Sequence, residues 1–129
     1  MDKKELEEKI SNVIRELEKR YGPLSLVMFV SAEPFALDML TMLVSAPWLD
    51  NKTPSEAIAI IRDELWKEKD LRGVITRVTP IHTSDPLVRA INSRFDVTTN
   101  EPQHIIGANI HGVQFDDATI MVSGSHSGS

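Results

Sequence analysis

Two short stretches hold most of the side chains that could do chemistry here. His82, Ser84 and Asp85 crowd one, and Trp48, Asp50 and Asn51 the other. A histidine can exchange a proton near neutral pH, an indole can stack on a ring, and Asp or Asn can bond the polar rim of a ligand. His82, His104, His111 and the Asp116-Asp117 pair hold enough nitrogen and oxygen for a metal, but their spacing matches no ligand motif and HExxH is absent. Ser31, Ser45 and Ser84 fall near strand ends without a G-x-S-x-G elbow around them. Neither G-x-x-x-x-G-K-[ST] nor G-x-G-x-x-G occurs, so both common backbone cradles for phosphate are missing. No metal and no cofactor is implied. Arg72, Arg77, Arg89 and Arg94 carry all the permanent positive charge of the second half, and would gather an anion if Arg77 and Arg89 converged.

The elements that must position these groups follow from periodicity and end signals. Between Asp2 and Tyr21, Leu6, Ile10, Val13, Ile14, Leu17 and Tyr21 recur at helical spacing against a charged opposite face, and Gly22-Pro23 ends the helix. The same stripe fits a short coiled-coil seam, so it predicts either docking on a sheet or self-association. Leu24–Ala32 is nearly all apolar and reads as a strand covered on both faces. After the Glu33-Pro34 break, Leu37–Ala46 reads as a second strand antiparallel to it, with a helix over Phe35–Val44 as the competing reading. Thr53-Pro54-Ser55-Glu56 is a capping box opening a helix that runs to about Asp70, with Ala57, Ile58, Ile61 and Leu65 inward. Val74–His82 is a strand, and Asp85 caps a helix begun by Pro86 that turns Leu87, Val88, Ile91 and Phe95 inward. Residues 96–103 are polar and include Pro102, and read as a loop or an irregular edge. Ile105–Phe115 and Ala118–Ser123 form a closing hairpin with its turn at Asp116-Asp117. Gly107 and Gly112 within its first arm suggest a bulge or a close backbone approach.

The order α-β-β-α-β-α-β-β predicts an α/β domain, bordering on α+β, with three helices and a mixed sheet of about five strands. The crossover from Leu37–Ala46 to Val74–His82 implies parallel strands joined in a right-handed sense. The loops leaving those strands, one with Trp48, Asp50 and Asn51 and the other with His82, Ser84 and Asp85, then share one sheet edge. Ligands of α/β sheets bind outside the carboxyl ends of strands, so these six residues are the candidate ligand-binding set.

Composition narrows the rest. The chain has 129 residues, 41% apolar and 26% charged, enough for one packed domain; it is assigned to residues 1–123. Residues 124–129 read as a flexible linker or an expression remnant. With no cysteine, disulfide and thiolate chemistry are excluded. A net charge of -5 disfavours nucleic acid and anionic lipid as partners. No secretory h-region or membrane-length apolar run occurs, so a cytoplasmic protein is expected. Lacking a convergent catalytic set, the chain reads as a binding or regulatory domain rather than an enzyme. It would act through protein contacts or self-association, using helix 2–21 or the edge hairpin. The alternative is a small-molecule or hydrolytic site near Trp48 and His82.

Overall fold

Lys3–Tyr21 forms α1, whose first turn is closed by the Asp2 carboxylate accepting the Glu5 amide at 2.8 Å. An acceptor there satisfies one of the four N–H groups that a helix start leaves unpaired. The computed structural model describes residues 2–31 and 39–124. The expectations for the Glu33-Pro34 break, for the start of a strand at Leu37 and for 125–129 therefore lie outside the described residues.

Beyond α1 come β1 (Leu26–Ser31), β2 (Leu40–Ser45), α2 (Pro54–Leu65), β3 (Ile75–Pro80), α3 (Pro86–Arg94), β4 (Gln103–Ile110) and β5 (Val113–Val122). Among the described residues these are three helices and one five-stranded sheet, ordered β3-β2-β1-β5-β4. β2 runs parallel to β3, and β1–β2, β1–β5 and β4–β5 are antiparallel. The mixed α/β sheet and the parallel pairing of β2 with β3 are thus as the sequence implies, and residues 40–45 are strand rather than helix.

Alternation along β1 divides the core in two. Val27 and Phe29 point toward α1 and α2, joined by Met42, Val44 and Met121, while Leu26 and Met28 point toward α3 with Ile105 and Ile120. The α1 stripe of Leu6, Ile10, Val13, Ile14 and Leu17 is buried in the first of these clusters. Docking on the sheet therefore occupies the seam that self-association through this helix would need. Glu64, only 3% exposed, joins the two helices on this face: it accepts from Arg20 of α1 and, at 2.9 Å, from Lys67. Lys9 lies 3.2 Å from Asp70, and the hydrogen bond to that carboxylate raises the Lys9 pKa above its usual value.

Among the boundaries that differ from expectation, three shape the fold. α2 stops at Leu65 rather than near Asp70, and Lys69–Leu71 makes a single 3-10 turn. At about 100° per residue a continued helix would aim Leu71 about 120° away from Leu65. Leu71 is instead buried in the same cluster as Leu65, which requires the chain to break and fold back. β3 is shorter than Val74–His82 and ends at Pro80.

The third difference is the hairpin. Its turn is His111-Gly112, not Asp116-Asp117, which lie inside β5 with Asp117 opposite Ile106. His111 (φ 50°) and Gly112 (φ 81°) are both left-handed, as a tight two-residue hairpin turn demands, and the Asn109 side chain accepts the Gly112 amide at 3.1 Å. Gly107 (φ 66°) makes no bulge, because β4 and β5 stay in one register on both sides of it. It switches faces instead. Ile105 and Ala118 reach the α3 cluster before it, and Ala108, Ile110 and Phe115 reach the same cluster after it, an inversion of parity in both strands. The end of the hairpin therefore curls over the α3 side of the sheet.

Candidate functional site

Because β2 and β3 are parallel, the loops leaving them meet at one end of the sheet, beside the start of α2. Thr53 and Glu56 form the reciprocal capping box there, with the Glu56 amide donating to Thr53 Oγ1 at 3.2 Å. The two loops and this helix end enclose a cleft of about 180 Å³, walled by Leu49, Pro54, Ala57 and Ile81, with Asp50, Lys52 and His82 contributing polar groups.

Asp50 ties the loops together. Its Oδ1 accepts the Thr83 amide at 3.0 Å, and its Oδ2 accepts the Thr83 hydroxyl. His82 Nδ1 accepts the Ser84 amide at 3.1 Å and lies 2.7 Å from Ser84 Oγ. A nitrogen that accepts from a backbone N–H carries no hydrogen, so the neutral ring holds its proton on Nε2. That nitrogen is 3.7 Å from Asp50 Oδ2.

Hydroxyl, imidazole and carboxylate thus stand in a row, the order found in nucleophilic triads. The details are those of a loop clamp. Both Asp50 oxygens are engaged by Thr83, the imidazole–carboxylate separation exceeds hydrogen-bond range, and the His82 side chain is 57% exposed. Nδ1 is held by the backbone of the very residue it would have to activate.

The six sequence candidates do not converge. Asp50 and His82 line the cleft, whereas Asn51 is exposed in its turn. Asp85 caps α3 by accepting the Leu87 amide at 2.9 Å, and Ser84 serves the His82 turn. Trp48 belongs elsewhere. Its indole stacks on Tyr21 with centroids 4.9 Å apart, and its Nε1 donates to Gly22 O at 3.0 Å and to Pro23 O at 3.1 Å. A Cβ at Gly22 would stand 3.3 Å from the indole, so glycine serves this contact as well as the helix end. Leu49, Lys52, Pro54, Ala57, Pro80 and Ile81, which line the cleft, and Thr83, which bonds Asp50, were not among the six candidates. The capping box marked the position of Pro54 and Ala57, but nothing local announces that Thr83 answers Asp50.

The remaining candidates are dispersed. His104 Nε2 pairs with Glu7 of α1 at 3.0 Å, and His111 sits in the hairpin turn. No group of three or more potential metal-ligating side chains gathers among the described residues. Ser45 is fully buried, opposite Leu26 in the ladder. Arg77 lines a groove with Arg62 and Arg72, and Arg89 is not part of it. No helix among the described residues is long and apolar enough to cross a membrane.

No protein-family model, curated protein or solved structure matches this chain.

Proposed function

We propose that this domain is a binding module that acts through protein contacts, and that its first contact is with a second copy of itself along the edge strand β4. The observation that carries this reading is the character of the edge. Among the described residues β4 pairs with β5 alone, and residues Gln103–Ile110 contain no Lys, Arg, Asp, Glu or Pro. Ile106 stands on it 81% exposed. Proteins guard open edges with charge, proline or a covering element, because unpaired N–H and C=O groups invite another strand. The opposite edge of the sheet carries Arg77 and Pro80, and among the described residues β4 has no such guard.

A second copy is the occupant that matches. The edge strand carries no Lys, Arg, Asp or Glu of its own and its His104 is already paired with Glu7, so it offers little to a strongly charged partner, whereas two antiparallel copies of Gln103–Ile106 bring main chain to main chain and add two isoleucines to the contact. Pairing stops at Gly107, where the strand turns its other face. The cleft is a weaker basis for function, since about 180 Å³ falls below the roughly 300–1,000 Å³ of typical small-molecule sites.

The test is sedimentation of the intact chain. A dimer is expected at micromolar concentration. Burying one isoleucine per copy contributes about 1.5–2 kcal/mol each, so Ile106→Lys should weaken the dimer by a factor of about 100 or more. Its thermal stability, measured as monomer, should stay within about 0.5 kcal/mol of the parent, because the side chain lies on the surface. A chain that remains monomeric up to about 100 μM, a concentration at which mass action favours any such dimer, removes the proposal.

A further inference from the structure

At the other edge of the sheet, the outer side of β3 and the end of α2 frame a groove of about 210 Å³. Trp66 lines it and is 43% exposed, although it is among the largest side chains in the protein. Two arginines hold the indole: the Arg62 guanidinium carbon lies 5.3 Å from the ring centroid and that of Arg72 5.9 Å. Arg72 Nε also donates to the Trp66 carbonyl at 3.2 Å. Arg77 joins them from β3.

Three guanidinium groups share this groove, and none is in an ion pair among the described residues. None of the nearby acids lines the groove. Glu64 pairs with Arg20 and Lys67, Glu68 and Asp70 face Lys9, and Asp63 does not line the groove. On a chain of net charge -5, this is a local concentration of uncompensated positive charge. Side chains packed on an aromatic face lose less freedom when they meet a carboxylate, and guanidinium suits carboxylate geometry.

The neighbouring main chain is open as well. The Ile81 amide donates to Val44 O at 2.8 Å, so Thr79 and Ile81 turn their backbone groups toward β2. By alternation Val78 presents its N–H and C=O outward, and Pro80, which has no N–H, ends the donor edge. From these features we infer that the β3 edge is a docking site for an extended acidic peptide segment. The segment would lie beside Val78 and place carboxylates on Arg62, Arg72 and Arg77, with an apolar side chain against Trp66. A second copy of β4, which has no carboxylate, does not fit here, so this surface is separate from the proposed dimer contact. The groove volume suits one seated side chain rather than a whole metabolite.

The test uses a fluorescein-labelled hexapeptide, Glu-Val-Glu-Glu-Val-Glu, and fluorescence anisotropy with the full chain. Saturable binding is expected, falling steeply as salt is raised from about 50 to about 500 mM, since the contacts lie at the surface. The joint substitution Arg62→Gln and Arg77→Gln should weaken it at least tenfold, whereas Ile106→Lys should leave it unchanged. Arg77→Gln alone, at an exposed strand position, should weaken it about threefold and keeps the test decisive if the double variant loses its fold. Absence of saturable binding, equal binding by the arginine variants, or displacement by pyrophosphate as tight as by unlabelled peptide would each overturn the inference.

Discussion

Removal of residues 1–21 is expected to leave a chain with no cooperative unfolding transition at 25 °C. α1 is not an appendage to this domain. Leu6, Ile10, Val13, Ile14 and Leu17 all lie in the cluster that also contains Val27, Phe29, Met42 and Ile61. Burying five side chains of this kind contributes about 8–15 kcal/mol in gross terms, as large as the roughly 5–15 kcal/mol by which whole domains are stable. The deletion also uncovers one face of β1 and leaves Glu64 without Arg20. Circular dichroism and thermal melting of the truncated chain provide the measurement. A sharp transition with native-like ellipticity would show that α2 and the sheet suffice, and that the α1 stripe is available for other contacts.

This expectation was within reach of the sequence only up to a point. The 6, 10, 13, 14, 17 spacing identifies a helix with one apolar stripe, but a stripe fits a sheet or a partner helix equally well. What settles the matter is β1 lying beneath it, a relation among strands whose order no local pattern records. The caps were legible for the opposite reason: Thr53–Glu56 and Asp85–Leu87 bonds join residues two or three apart, so residue type and spacing contain them entire. Local residue types point to the wrong hairpin turn because Asp116-Asp117 has turn-forming chemistry while His111-Gly112 has turn-forming geometry. The face switch at Gly107 broke the period-two pattern that would have shown both strands running past it. In the candidate site, the meeting of the two loops followed from the parallel crossover. The direction of each side chain did not. Asp50 and Thr83 are 33 residues apart, and Trp48 turns to a helix end 26 residues earlier.

That misdirected tryptophan supplies the second large expected effect. Trp48→Ala should destabilise the chain by about 3 kcal/mol, the low end of the range for removing a large aromatic, because the ring is only partly buried. Three contributions add to that figure: lost apolar area, the stacking on Tyr21, worth about 0.5–1.5 kcal/mol, and the indole hydrogen bonds to Gly22 O and Pro23 O, worth about 1 kcal/mol. Trp48→Phe retains a ring on Tyr21 and loses only the N–H, so its cost should be nearer 1 kcal/mol. His82→Ala, at an exposed position, provides the contrast and should cost less than either. The graded series separates the two roles open to Trp48. A residue kept to stack a ligand contributes little to the free protein, and its removal would leave the denaturation midpoint within about 0.5 kcal/mol of the parent. A residue that fastens the end of α1 to the β2–α2 loop weakens both at once. Hydrogen exchange should then quicken in the Gly22–Leu24 turn and across Leu49–Lys52 together, because the loss of one indole releases the two segments it joins.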